Sequence, residues 1–361
     1  MVMGSLRILW FTNTPSGYLK KHTSREIEAG GWFSSLENEL KERSKIKLAV
    51  SFHANEFMDQ KSNREIKTIH DEGINYYLLK DTIGKLTKKF KLTVNSNSNL
   101  ENYLEVIERF DPDLIHVWGT ERDFGLLVKK TKVPIVIHLQ GILTIIVHKW
   151  NHTAVSRIEE AMYTEKSKML KLAGPFWRKL SLKARAERER HILNNCRYVM
   201  GRTFWDKNVT KILAPEAKYF HNDEMLRSAF YSEDNKWHYE KKKRTNFLTV
   251  THDNVYKGLE TIFATAEILQ NIGQRFTWRI IGVEKDNPRV SFFERVAGVN
   301  IKNLPLEFLG KKSALEIIEH MHNSGLFIHA SHIENSSNSL CEAMILGLPI
   351  IATYSGGTGS L

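Results

Sequence analysis

Short apolar runs, rich in β-branched and aromatic residues and spaced by helix-length stretches, recur along this chain. In the first half they are "LRILWF" (6–11), "IKLAVSF" (46–52), "INYYLL" (74–79), "LIHVW" (114–118), "PIVIHL" (134–139) and "RYVMG" (197–201). Helical stretches at 24–43, 101–110, 122–131 and 204–213 lie among them. A strand that is apolar on both faces must be covered on both, and alternation with helices does this as a parallel sheet between two helix layers. "DPDLIHVWG" holds the unit in miniature: a helix stops before Pro112, a buried strand follows, and a glycine ends it.

Residues 221–245 break this rhythm and end in a charge run, after which the alternation restarts. The second series is "NFLTVT" (246–251), a helix over about 257–272, "FTWRIIGV" (276–283), "LEFLG" (306–310), a helix near 312–323, "GLFIHAS" (325–331), a helix from about 338 and "PIIAT" (349–353). With 361 residues, about twice a usual domain, the chain is expected to form two Rossmann-like α/β domains in tandem. The expected boundaries are 1–222, a connection over 223–245, and 246–361.

Composition excludes several classes. Hydrophobic residues at 42% and charged residues at 26% supply two cores and rule against a disordered chain. Cys196 and Cys341 stand far apart, so neither a disulfide framework nor a zinc site is expected, and a reducing cytoplasm fits. The start "MVMGSLRILWFTN" lacks the pattern of a signal peptide, and no long uncharged apolar window spans a membrane. The net charge of +11 gathers between Lys149 and Arg197, with Glu159, Glu160, Glu165, Glu187 and Glu189 interleaved. That run reads either as an ion-paired, solvated helix face or as a surface for anionic lipid. Nucleic acid is not an expected partner, because no nucleic-acid motif accompanies the charge.

In open α/β sheets ligands bind beyond the carboxyl ends of strands, so chemistry is sought there. The sharpest cluster is "HIENSSNSLCEAMILGLPIIATYSGG" (332–357). A helix capped by Asn338 or Ser339 and stopped at Gly347 before Pro349 offers its first N–H groups, including those at Ser339 and Leu340, to an anion such as a diphosphate. Glu334 in the loop and Glu342 on the helix would repel that anion, so they suit hydroxyl groups on its two flanks; Glu342 also fits as a plain first-turn acid. In "VTHDNVYKGLE" (250–260), Lys257 suits phosphate and Gly258 close approach, or the lysine is ordinary surface. Gly30 and Gly31 open a helix after the first strand and suit approach to a phosphate or acceptor. His138 ends "PIVIHL" as either a donor to a ligand oxygen or a core histidine, whereas His116, mid-strand, reads as structural. Metal-ligand spacing, GxSxG and a P-loop are all missing.

Together these residues resemble a retaining glycosyltransferase of the GT-B fold, family 4, similar to capsular or exopolysaccharide glycosyltransferases. Glu334, Glu342-Ala343-Met344, Gly347, Pro349 and Gly356-Gly357 match its paired-glutamate motif, Phe308-Leu309-Gly310 the strand end before it, and Lys257-Gly258 its helix start. "GRTFWDKN" (201–208) and "YFHNDEMLRSAFY" (219–231) are similar to segments of the same enzymes. The resemblance implies two domains facing across a cleft, and transfer of a sugar from a nucleotide-diphosphate sugar to a glycan or lipid-linked acceptor, with no metal or cofactor. It implies Glu334, His138 and Lys257 as catalytic residues, and Glu342 on the ribose. Ser339, Leu340, Gly310, Lys311 and His252 complete the donor site. His252 stands where relatives have a phosphate-binding arginine, which Arg202 or Arg227 would replace. Relatives also continue past "GGTGSL", so a truncated C-terminal domain is expected. A cytoplasmic enzyme, peripheral on the inner membrane face, is the expected setting. A nucleotide-sugar epimerase of the same fold and a non-catalytic sugar-nucleotide binder are the alternatives.

Overall fold

The computed structural model describes residues 5–13, 17–18, 31–43, 45–54, 66–80, 99–151 and 168–361, with backbone alone at 150–151 and 168–179. Of the basic run between 149 and 197, Arg157, Lys166, Lys168, Lys171, Arg178 and Lys179 therefore lie outside the described side chains. The chain divides into two compact units: Met1–Val147 with Leu180–Met225, and His148–Lys179 with Leu226–Leu361.

The N-terminal unit is built on eight strands: β1 (Leu6–Phe11), β2 (Ile46–His53), β3 (Ile66–Asp71), β4 (Ile74–Leu79), β5 (Leu114–Trp118), β6 (Ile135–His138), β7 (Tyr198–Gly201) and β8 (Lys218–His221). They lie in the order β3-β4-β2-β1-β5-β6-β7-β8. Every neighbouring pair is parallel except β3 with β4. Consecutive residues of a strand point to opposite faces, and β1 shows the result. Leu9 and Phe11 pack with Tyr103, Val106 and Phe110 of the helix Leu100–Phe110. Trp10 faces the other way, against Phe33 of the helix Gly31–Lys41 and Trp118.

The C-terminal unit has five strands: β9 (Asn246–Val250), β10 (Thr277–Ile281), β11 (Leu306–Gly310), β12 (Leu326–His329) and β13 (Ile350–Ala352). Their order is β11-β10-β9-β12-β13, all parallel. One face carries Trp278 and Ile280 against Phe263, Phe292 and Phe293. The other carries Leu248, Ile281 and Phe327 against Leu340, Ala343 and Leu346. Two α/β units with parallel sheets are thus the fold, as the alternation of runs predicts.

The differences are instructive. β3 and β8 are not among the expected strands, because neither is apolar on both faces: Lys67, Thr68 and His70 of β3 are exposed, as are Lys218, Phe220 and His221 of β8. The signal for β3 was its turn, since Glu72 and Gly73 take φ of 47° and 82° and close a two-residue hairpin. The stretch expected as a helix over 122–131 is a 3₁₀ helix, Asp123–Lys129. Much of the expected connection packs onto the C-terminal unit. Phe230, fully buried, joins Ile317, Met321 and Leu346, while the Trp237 N–H donates to the Leu346 carbonyl over 2.7 Å.

One buried hydroxyl ties the C-terminal sheet to its core. Thr249 Oγ1 donates to the Ile328 carbonyl over 2.8 Å and accepts from Trp278 Nε1 at 3.0 Å. Replacing it with near-isosteric valine strands both partners. Thr249→Val is expected to destabilise the C-terminal unit by about 1–3 kcal/mol, read as a lower urea midpoint with unchanged slope.

Candidate functional site

The chain steps from β9 to β10 and β11 on one side, then returns to place β12 and β13 on the other. A crevice opens beyond the carboxyl ends of the two strands at such a reversal. The segments leaving those ends are 251–258 after β9 and 330–337 after β12. They carry His252 and Lys257, and Glu334.

Backbone meets backbone here. Gly258 takes φ 74°, and a Cβ on it would stand 2.0 Å from the Ala330 carbonyl oxygen. Gly356, at φ 54°, faces the Glu334 carbonyl oxygen at the same 2.0 Å, and Gly357 N–H donates to that oxygen over 2.9 Å. The close approach assigned to Gly258 from the sequence is therefore an approach of the neighbouring loop. His332 N–H, bonded to the Tyr256 carbonyl at 2.8 Å, joins the same two segments. At Gly310, φ 62°, a Cβ would meet the Glu284 carboxylate at 2.1 Å, so this glycine too accommodates a protein group.

Held in this frame, Lys257 Nζ lies 2.5 Å from Glu334 Oε2, with His329 Nε2 at 3.6 Å from the same oxygen. Burial pushes the Glu334 acid up, but the Lys257 charge and the contacts with His329 and Lys257 outweigh it and hold the pKa at about 2. His252 shifts downward, first through burial and then through Lys257, with Lys311 adding and Asp253 and Glu334 opposing. It is thus a neutral imidazole near pH 7 and no substitute for an arginine's charge. Asp253 is engaged elsewhere, accepting from Asn287 Nδ2 at 3.0 Å, while Arg289 Nη1 donates to its carbonyl.

The helix after the loop runs Asn338–Leu346, and its cap is Ser337, whose hydroxyl accepts from Leu340 N–H at 3.4 Å. The expected cap at Asn338 or Ser339 is one residue late or two, because Asn338 is already helical. The cap also takes the Leu340 N–H that the sequence offered to a ligand, and the Leu340 side chain is buried. Ser339 Oγ sits 3.1 Å from Ser337 Oγ. Glu342 is 3% exposed and accepts a two-pronged bond from Arg227, Nε at 2.7 Å and Nη2 at 2.6 Å. The two glutamates therefore have separate cations, Lys257 for one and Arg227 for the other.

In the N-terminal unit the strand order reverses between β1 and β5. At that end Gly119 takes φ 81°, and a Cβ there would be 1.9 Å from a Glu121 carboxylate oxygen. Burial pushes Glu121 up to about 7, with Glu189 adding and Arg185 opposing. His138 is fully buried. Its Nδ1 is 3.1 Å from His116 Nε2, its Nε2 3.1 Å from Glu224 Oε1, and Trp118 stacks on its ring. Both ring nitrogens thus face protein groups. Arg202 stands 3.7 Å from Glu224 in this unit. Gly31 is the first residue of its helix, and Gly30 lies outside the described residues. Sequence reasoning missed Glu121, Glu224 and the partner of Glu342; strand-end position was the available signal for Glu121. Among the described residues no group of three potential ligands is arranged for a metal, and no helix is long and apolar enough to cross a membrane.

Residues 232–361 match the family Glycosyl transferases group 1. The C-terminal unit thus carries a glycosyltransferase group 1 domain, on a chain whose fold is that of two-domain GT-B glycosyltransferases. A sucrose-phosphate synthase from Thermosynechococcus elongatus superposes with a TM-score of 0.61 at 13% identity, over 98% of this chain and 82% of that one. The Anabaena protein HepE, in complex with UDP and glucose, gives 0.56 at 14% identity, over 98% and 82%. A Rickettsia africae glycosyltransferase gives 0.53 at 12%, over 98% and 80%. Among curated proteins, none matches this sequence.

The depressed Glu334 acid makes stability depend on pH with a definite sign. Its contribution is complete above the usual carboxyl pKa of about 4.5 and is lost as pH falls towards about 2. Thermal unfolding of the protein and of Glu334→Gln from pH 6 to pH 3 should show a stability gap that narrows as pH falls. A constant gap would refute the assignment.

Proposed function

We propose that the protein is a retaining glycosyltransferase of the family 4 type, moving a sugar from a nucleotide-diphosphate sugar to a glycan or lipid-linked acceptor in surface polysaccharide synthesis. The observation that carries the reading is the Lys257–Glu334 pair at the strand reversal of the C-terminal unit, 2.5 Å apart and largely buried. Two opposite charges desolvated together in a ligand crevice cost stability that an apolar pair would not, so their retention there favours a task in ligand handling.

In this reading the donor diphosphate meets Lys257, Lys311 and the first turn of the helix Asn338–Leu346. Glu334, held between Lys257 and His329, accepts hydrogen bonds from hydroxyls of the donor sugar. The bond between the anomeric carbon and the diphosphate oxygen breaks with its electron pair going to the diphosphate. A new bond forms from the acceptor hydroxyl oxygen to the same carbon, on the face the diphosphate leaves. The acceptor proton passes to the departing phosphate oxygen. Lys257 stabilises the charge that grows on the diphosphate as the bond lengthens, an interaction stronger in the transition state than before it. His252, neutral, contributes hydrogen bonding instead of charge. The step uses no metal ion and no cofactor. His138, buried between His116 and Glu224, supports the N-terminal unit's acceptor-facing end through its neighbours. The setting is cytoplasmic and peripheral on the inner membrane face, with an anionic membrane surface as the partner that the basic run supports.

Lys257→Met should lower turnover of the preferred nucleotide sugar by on the order of 10²–10³-fold with the circular dichroism spectrum unchanged. Glu342→Ala should also lower it by orders of magnitude. Product analysis with and without an acceptor separates transfer from epimerisation, and undiminished turnover in Lys257→Met would sink the reading.

A further inference from the structure

The strand reversal of the N-terminal unit gathers three arginines. Arg122 follows the end of β5, and its Nε donates to Asn13 Oδ1 over 3.2 Å, tying together the segments that leave β1 and β5. Arg185 and Arg188 stand one turn apart on the helix Lys168–Asn195 and so share a face. Arg188 Nη2 donates to the Glu121 carbonyl over 2.7 Å, while its Nε is buried with no hydrogen-bond partner. Arg185 is half-buried and makes no hydrogen bond or ion pair among the described residues. Burial lowers its pKa, Glu121 opposes that shift, and the Arg122 charge adds to it. Burial lowers that of Arg188 as well, against Asp123, with Arg185 and Arg122 adding. The three guanidinium groups thus lie within electrostatic reach of one another.

The neighbouring acids are turned to other tasks. Glu189, fully buried, caps the helix Leu143–Asn151: it accepts from the Leu143 N–H at 2.9 Å, the Thr144 N–H at 2.7 Å and the Thr120 hydroxyl. Asp123 accepts from Tyr103 Oη at 2.8 Å and from Asn99 Nδ2 at 3.3 Å. The Glu121 carboxylate folds back over the strand ends, where a Cβ on Gly141 would stand 3.3 Å from it and the Gly141 N–H bonds to it. None of the three acids forms an ion pair with an arginine among the described residues. A half-buried guanidinium that has lost hydration is ordinarily given a carboxylate. Here the fold brings the carboxylates close and spends them on backbone amides and hydroxyls instead, so the arginines keep their forks for an anion from outside the chain.

We propose that Arg122, Arg185 and Arg188 form a binding site for a compact oxyanion carried by the acceptor, a phosphate or a carboxylate, so that the acceptors of this protein are acidic sugars. That the bound molecule is an acceptor rests on the glycosyltransferase reading above; that the site takes an anion rests on the arginines alone. The planar forks suit either oxyanion, which a neutral glycan would leave unpaired. Glu121 tunes the site. Burial pushes its acid up to about 7, with Glu189 adding and its own N–H, Arg185 and the Gly141 N–H opposing. Below that pH the group is a neutral hydroxyl donor beside the anion; above it, an ionised carboxylate repels the anion and competes for Arg185. Anion binding therefore takes up a proton and weakens as pH rises through about 7.

The test is calorimetry on the whole chain with glucose 6-phosphate, glucuronate, glucose and inorganic sulfate. A Lys257→Met background keeps the donor crevice from capturing the probes, and Arg185→Gln, Arg185→Lys and Glu121→Gln are added to it singly. At least one acidic sugar should bind about tenfold or more tightly than glucose, the scale of hydrogen bonds to a charged group. Which of the two does so separates a phosphate-bearing acceptor from a uronate. Arg185→Gln should remove most of that preference, whereas Arg185→Lys should recover only part of it, having the charge without the fork. Sulfate keeps its charge across the range, so its affinity should fall severalfold from about pH 6 to about pH 8, and Glu121→Gln should flatten that fall. Acidic sugars that bind no better than glucose overturn the proposal. So does a preference left intact in Arg185→Gln, or in Arg185→Lys should the glutamine variant not fold, and so does a pH slope unchanged in Glu121→Gln. Anion binding that needs Arg185, in a protein that transfers no sugar from any nucleotide sugar, overturns the glycosyltransferase reading and leaves the anion site standing.

Discussion

The loop after β12 is held by contacts in which no side chain fits. Gly258 lies against the Ala330 carbonyl and Gly356 against the Glu334 carbonyl, both in the left-handed backbone region. Backbone packed this closely fixes the path of residues 330–335 more firmly than side-chain contacts would, because a peptide unit has no rotamers. The Lys257–Glu334 pair depends on that path. Two buried opposite charges are net favourable only where distance and angle are tightly set, and the glycine contacts set them. Either glycine exchanged for a side-chain-bearing residue would move the carboxylate before it touched any ligand.

The fold was legible because strands buried on both faces leave an unmistakable sequence trace. "INYYLL" and "LIHVW" begin and end where β4 and β5 do. What escaped was the periphery. An edge strand such as β3 buries one face, so half its residues are free to be polar, and its run "IKTIHD" looks like a loop. The helix Pro288–Ala297 shows a different gap. Its Asn287 cap and first-position proline form a readable start signal, but the short helix lies between two strands whose apolar runs are the stronger pattern.

Less of the candidate site could be read. Position at strand ends and beside a helix start singled out Glu334, Glu342 and Lys257, each with a plain structural alternative, and the family resemblance supplied their roles. Partners could not be read the same way. Arg227 lies 115 positions before Glu342, and the fold brings the two together with the guanidinium over the Phe230 ring. Protonation states were equally hidden. His252 is neutral because of burial and the nearby lysine charges, and Glu121 is pushed up to about 7 by burial with Glu189 close by; neither environment exists until the chain has folded.

The antiparallel strand β3 has a consequence for how the protein behaves among its own copies. A parallel sheet ends in a row of unsatisfied N–H and carbonyl groups that any extended segment can extend. Here the row next to β4 is already taken by a strand running the other way, and that strand turns Lys67, Thr68 and His70 outward. An incoming segment would have to desolvate a lysine and a histidine to pair with it. The hairpin at Glu72-Gly73 thus acts as a hem on that edge of the N-terminal sheet, making it a poor template for sheet-to-sheet growth.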